Sequence, residues 1–264
     1  KTRHMSLHAE LHNALQRGQF RVHYLPIVAL ATRTVCGFEA LVRWDHPGRG
    51  LISPDLFIPI AEETGLIVQL GRWVLLHACR QMAEWNERYP MDPPLIVTVN
   101  LSAKQFAEFD LHDTVEDILG DTGLEPAQLM LEINEGAVVE FREAVVDAMG
   151  RMRKAGVRTA IDNFGVGASS FTFLHEVPYD FLKIDRSLVS RAGQGGRSRD
   201  VLKAIVDMAH SLAMQVVAEG VETSGQAAQM SNLWCEYATG YLFGKPMLAD
   251  AAGALIASYP KWWA

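Results

Sequence analysis

Acids, amides and one lysine recur at the ends of apolar runs in this chain. "TVN" closes on Asn100, "LMLEIN" carries Glu132 with Glu135 just beyond, and "TAID" closes on Asp162. "FLKID" carries Lys183 and Asp185, and "VVAEG" carries Glu219, with Glu222 following. Nearer the start, Glu39 and Arg43 stand among apolar neighbours in "GFEALVRW". Carboxylates gathered in one place repel unless a cation neutralises them. Oxygen donors of this kind suit Mg²⁺, Mn²⁺ or Ca²⁺ and do not suit zinc. The stretch "IDNFGVGASS" (161–170) adds a second polar group, Asn163, and then a Gly-rich turn. It reads either as a metal and phosphate site or as a tight turn capping the next helix, and the glycines alone favour the cap. A lone acid at a strand end is ordinarily a helix cap or a surface charge. The same pattern at five successive strands is not explained that way.

Those groups meet only if the elements carrying them converge. Apolar periodicity switches repeatedly between 2 and 3.6 along the chain. "SLHAELHNALQRG" reads as a short amphipathic, exposed helix with Leu7, Leu11, Ala14 and Leu15 inward. Strands follow at "FRVHYLPIV" and "TVCGFEALVRW". "SPDLFIPIAEETG" opens as a helix at Ser-Pro and stops at Gly, and a long helix follows it. From "LIVTVNL" onward strands and helices alternate, ending in a short strand at "EYATG". About eight strands with interleaved helices imply an α/β barrel, with a doubly wound open sheet as the second reading. Strand C-terminal ends in a barrel converge on one mouth, which would bring four carboxylates, an amide and a lysine together.

Composition narrows the function classes. The chain has 264 residues, 49% of them apolar, which suits one barrel with a sizeable core. A net charge of −7 argues against general affinity for nucleic acid or an anionic membrane. Three scattered cysteines fit neither a disulfide framework nor a thiolate zinc site and point to a reducing cytoplasm. No apolar run approaches the ~20 residues that span a bilayer. His8 and His12, four apart, read as surface residues, as do His77 and His210 as packing or surface groups, and "YPKWW" reads as a packed terminus. "AGQGGRSRD" reads as an exposed loop.

The ordered blocks resemble a known family. Glu39-Ala40-Leu41 within "GFEALVRWDHPGRGLISPDLFIPIAEETGLI", then "NLSAKQF", "LEINE", "IDNFGVGASS", "LKID", "AEGVE" and "GYLFGKPM", are similar to the EAL family of cyclic di-GMP phosphodiesterases. The resemblance implies a modified TIM-type (β/α)8 barrel with one antiparallel strand. It implies cyclic di-GMP as ligand and hydrolysis to linear pGpG. By the same resemblance Glu39, Asn100, Glu132 and Asp162 hold one metal, and Asp162, Asn163 and Glu219 bear on a second. The ion is Mg²⁺ or Mn²⁺, with Ca²⁺ inhibitory. Lys183 and Glu219 are the catalytic pair, Glu219 as general base. Arg43, Leu41, Asp185, Glu222 and Pro246 are assigned to the ligand, and Glu135 anchors the loop after Asp162. Residues 1–18 resemble the linker helix ahead of such domains, with 1–4 an expression remnant, and 19–264 form the barrel. The implied setting is a cytoplasmic domain, free or on the cytoplasmic side of a membrane-anchored protein. It follows an upstream sensory or diguanylate-cyclase-like domain and forms a homodimer near Phe171 and Phe173.

The departures decide how Asn163 is read. Members that hydrolyse well show two adjacent acids, where this chain has Asp162-Asn163; the following Thr and Tyr are Val166 and Ala168. A usual Gln is Thr239, another is Leu25, and "LEINE" replaces "LEITE". The resulting expectation is a domain that binds cyclic di-GMP with hydrolysis reduced or lost. The alternative is a working phosphodiesterase that tolerates Asn163. An enolase-like barrel using Lys183 explains the strand-end acids but not the other blocks.

Overall fold

The period-2 runs fold as the strands of a closed mixed barrel. The computed structural model describes residues 2–107, 111–165, 174, 176–192 and 196–262, without the side chains of 2–6, 9, 107, 135, 137 and 139. The strands are β1 (Phe20–Ala29), β2 (Thr34–His46), β3 (Gly50–Ile52), β4 (Ile96–Leu101), β5 (Leu129–Asn134), β6 (Arg158–Phe164), β7 (Phe181–Ile184), β8 (Gln215–Ala218) and β9 (Tyr237–Thr239). Their order is β1-β9-β8-β7-β6-β5-β4-β2, and pairing of β1 with β2 closes the ring. β1 runs antiparallel to both neighbours, while β2 and β4 through β9 are parallel. β3 pairs with β2 outside the ring.

Helices α1 (Thr2–Ala14), α2 (Pro54–Thr64), α3 (Leu66–Arg88), α4 (Ala103–Ala107), α5 (Leu111–Thr122), α6 (Glu135–Glu140) and α7 (Arg142–Lys154) precede β6. After β7 come α8 (Arg186–Ala192), α9 (Arg197–Ser211), α10 (Ser224–Asn232) and α11 (Ala249–Ser258). As Ser-Pro and Gly imply, α2 begins at Pro54 and ends at Gly65, whose φ of 75° lets the chain turn straight into α3. Among the described residues no helix is long and apolar enough to cross a membrane.

Alternation along each strand sorts the side chains. Val97, Val99, Leu101, Leu131, Ile133 and Ile161 face the helices in the main core. The opposite set faces the barrel axis: Ile96, Met130, Ala160, Phe181 and Val217 form an apolar plug, with polar residues above it. A separate cluster seats α1, with Leu7, Leu11 and Ala14 buried against Trp44, Phe57 and Ile60. Glu10 adds a 2.8 Å contact to His46 and a 3.2 Å contact to Arg49. The opening helix is therefore docked on the barrel, not exposed, because its apolar stripe is matched by α2. Trp262 meets Phe243 edge-on at 5.6 Å, as a packed terminus requires, whereas Tyr259 of the same aromatic tail is exposed and Trp263 lies outside the described residues. The sequence reading did not include β3, α4, α6, α8 or α11, and residues 197–200, read as part of an exposed loop, form the first turn of α9. Phe171, Phe173, Val166 and Ala168 lie outside the described residues.

Candidate functional site

Parallel ladders bring the strand-end groups level. Asn100 stands opposite Glu132, Glu39 opposite Thr98, and Asp162 opposite Asn134. Four carboxylates then surround one ammonium. Lys183 Nζ is 2.6 Å from Glu132, 2.9 Å from Glu219, 3.2 Å from Glu39 and 3.4 Å from Asp162. Lys183 is 2% exposed and Glu132 1%. Asn100 donates from Nδ2 to Glu39 Oε1 at 2.8 Å, which leaves the amide oxygen of Asn100 pointing elsewhere.

The β6 end is irregular. Ile161 and Phe164 pair with Leu182 and Ile184, three steps on β6 against two on β7. The extra residue is a β-bulge, which re-aims the side chains at a strand end. Asn163 there has φ 57°, a left-handed conformation that Asn and Asp tolerate better than other side chains. Its Nδ2 donates to Asp162 Oδ2 at 2.9 Å. A carboxylate only accepts, so the amide must present its N–H side to it. Gly165 follows with φ 97°, and a Cβ there would lie 2.6 Å from Leu188.

The charges are unbalanced. Burial pushes the Glu132 carboxyl well above its ordinary value; Lys183 opposes the shift, and Glu39 and Asp162 reinforce it. Burial pushes Glu219 up to about 7, against the pull of Lys183. Burial alone would lower the Lys183 ammonium, but Asp162, Glu132, Glu219 and Glu39 together hold it well above the usual lysine range. Asp162 Oδ1 is buried without a hydrogen-bond partner among the described residues. A hard divalent cation fits this donor set: all oxygen, formally four negative charges against one positive, with one carboxylate oxygen that has the 3.4 Å ion pair to Lys183 but no hydrogen bond.

Residues 8–246 match the EAL domain family. The chain belongs to that family. It is 40% identical over 248 residues to the bifunctional diguanylate cyclase/cyclic di-GMP phosphodiesterase MucR of Pseudomonas aeruginosa, covering 94% of this chain and 36% of MucR. The solved MucR phosphodiesterase in complex with cyclic di-GMP superposes with a TM-score of 0.87 at 40% identity, covering 94% of this chain and 99% of that one. The EAL enzyme Bd1971, in its cAMP- and cyclic-di-GMP-bound form, gives 0.91 at 31% identity, covering 97% and 69%. The chain spans about a third of the length of the curated relatives it matches.

In this EAL domain the structure brings together Glu39, Asn100, Glu132, Asp162, Asn163, Lys183 and Glu219. Leu41 and Arg43 line an adjoining cleft of about 290 Å³ with Asn100, Pro54 and Ile58. Burial lowers the Arg43 guanidinium from its ordinary value, opposed by Glu39, Tyr241 and Asp55. Asp185, Glu222 and Pro246 are not among the ion pairs and hydrogen bonds of this cluster. Asp185 Oδ1 accepts from Ser187 N at 2.8 Å and caps α8. Glu222 is exposed, and its backbone N–H donates to Gln226. Pro246 is half-buried, and Glu135 opens α6 directly after β5. Sequence reasoning missed Thr98, which is 1% exposed and level with Glu39. Its signal was available: it precedes Asn100 by two on the same strand face. Reasoning also missed His112, Asp113 and Glu116, whose ligand atoms lie within 4.8 Å of one another on α5. His112 already faces Asp113 at 3.4 Å and Glu116 at 3.6 Å, an ordinary pairing with two exposed carboxylates.

Proposed function

We propose that this EAL domain binds cyclic di-GMP with Mg²⁺ or Mn²⁺, hydrolyses it to pGpG slowly or not at all, and reports its bound state to the rest of a longer signalling protein. One observation carries the reading. The Asn163 amide holds Asp162 Oδ2, so the position that would bring a second charge to a second ion instead occupies one oxygen of its neighbour. Glu39, Asn100, Glu132 and Asp162 Oδ1 remain to hold one ion. A bound divalent ion would supply charge neutralisation for the phosphodiester and lower the pKa of water.

The protein's own groups would do the rest. Arg43, half-buried beside Glu39, suits a non-bridging phosphate oxygen through its fork of N–H donors. The apolar cleft beside it, lined by Leu41, Pro54 and Ile58, suits a flat base. Glu219, with a carboxyl near 7, can accept a proton from an attacking water. Lys183 holds the carboxylates around it in place.

A second reading, an active phosphodiesterase, is favoured by the presence of Lys183 and Glu219 in the cluster and by the complete first set of ligands. Self-association is a further expectation that the family resemblance alone motivates, tested by sedimentation at high micromolar concentration with ligand. The deciding experiment is paired. Cyclic di-GMP binding is measured by calorimetry in Ca²⁺, and conversion to pGpG is followed in Mg²⁺ and in Mn²⁺. Binding with little or no turnover is expected. Brisk turnover selects the second reading, and no binding with or without metal overturns both.

A further inference from the structure

Beneath the carboxylates and above the apolar plug lies a small internal cavity of about 10 Å³, lined in part by Thr98, Thr239, Glu39, Glu132 and Lys183. That volume is at the lower limit for one water molecule. Thr98 is 1% exposed and Thr239 2%. Thr98 Oγ1 has no hydrogen-bond partner among the described residues. A hydroxyl buried without a partner is unfavourable, and an isosteric Val would fill the same place on a strand at no such cost. The hydroxyl and the cavity it lines thus point to the same ligand.

We infer that Thr98, with Thr239, holds a single water under the Lys183 ammonium, and that this water positions the Glu39 and Glu132 carboxylates for the cation. Thr98 donates to the water, and the water's two protons are shared between Thr239 Oγ1 and a carboxylate oxygen of Glu39 or Glu132. The chemistry requires water rather than a second cation, because Lys183 forms one wall of the cavity. Thr98 is then a positioning residue: it stands level with Glu39 on the neighbouring strand and acts on the ion through that carboxylate and its partner. Groups behind metal ligands set ligand orientation and typically change metal affinity about 10–100-fold when removed. The inference rests on the proposed cation site for its second half only.

The test uses the chain with Thr98→Val and Thr98→Ser. High-resolution crystal structures should show one isolated oxygen peak under Lys183 in the parent and in Thr98→Ser, and none in Thr98→Val. Mn²⁺ titration followed by electron paramagnetic resonance should give about tenfold weaker binding for Thr98→Val and an affinity within about twofold of the parent for Thr98→Ser. Thermal melts in EDTA establish that each variant is folded. A parent structure without the peak overturns the water. A Thr98→Val variant that binds Mn²⁺ as well as the parent overturns its positioning role. A parent that shows the peak but binds no Mn²⁺ upholds the water while overturning the cation site, so the two failures are told apart.

Discussion

The two sides of the barrel mouth are built by different means. On the β2–β4–β5 side, Glu39, Asn100 and Glu132 stand on unbroken parallel ladders, so regular strand alternation aims each side chain before Asn100 and Lys183 hold the carboxylates. On the β6 side, a bulge and the left-handed Asn163 aim Asp162, and the neighbouring amide restrains it. Regular backbone over-determines a side chain's direction; a bulge sets it by a local choice that one substitution can change. The ladder side therefore supplies three of the four donors assigned to the first ion, and the bulged side supplies Asp162 together with the substitution at Asn163; the departures at Leu25, Asn134 and Thr239 lie on β1, β5 and β9.

Removing the common counter-charge should strain both sides at once. Lys183→Met leaves three buried carboxylates and the half-buried Glu219 without their ammonium, and breaking a buried ion pair from one side costs about 3–5 kcal/mol. Urea unfolding in EDTA should show a loss of that order, with much of it regained on adding millimolar Mn²⁺. Equal stability of parent and variant in EDTA would mean that the carboxylates are already protonated, and the charge argument for a cation would fall.

Asn163→Asp addresses the bulged side alone. It replaces a donor by an acceptor, frees Asp162 Oδ2 and restores a charge, with φ 57° still tolerated by Asp. One well-placed electrostatic group is worth roughly 10²–10³ in rate, taken as a scale. Single-turnover conversion to pGpG in Mg²⁺ should rise toward that range, less any share limited by Val166 and Thr239. An unchanged rate in both metals would place the limit elsewhere than at Asn163.

What was legible in the sequence follows the same division. Glu39, Asn100, Glu132, Asp162, Lys183 and Glu219 could be placed together because a period of two fixes which face each occupies. The Asn163 bond could not be read, since composition names an amide without saying which end faces its neighbour. Docking of α1 depends on the facing stripe of α2, a long-range match that local periodicity does not report. β3 has three residues and α4 five, too short for either period to register. Thr98 was passed over because Thr is an ordinary strand residue; its place two before Asn100 puts it on the right face, and its burial and unpartnered hydroxyl give that place a meaning.

Arg43 tests the ladder side from the cleft. Loss of one charged hydrogen bond costs about 1.5–3 kcal/mol, or roughly ten- to a hundredfold in affinity. Arg43→Ala should weaken cyclic di-GMP binding in Ca²⁺ by that factor while leaving Mn²⁺ affinity within about twofold. Equal weakening of both would make Arg43 a prop for Glu39 instead of a ligand contact.

The smallest expected effect is a proton. Glu219 moves from an ordinary 4.5 to about 7 in the folded protein, chiefly through burial. A carboxyl raised in this way keeps its proton in the native state where the unfolded chain has lost it. Between about pH 4.5 and 7 the native state thus binds more protons, and stability in EDTA should fall as pH rises, by up to about 1.4 kcal/mol per unit for one proton. Cation binding runs the other way, because the ion competes with that proton. Mn²⁺ affinity should climb by up to about tenfold per pH unit below 7 and level off above it. Glu219 is 17% exposed at its side chain and is the proposed base, so the same group should shape both curves. Glu219→Gln should flatten the affinity profile near pH 7 and remove that part of the stability slope, leaving the contribution of Glu132. Titrations of parent and variant between about pH 5 and 8 decide it. If the parent's Mn²⁺ affinity is flat across that range, Glu219 is already ionised in the fold and burial does not govern this side of the mouth.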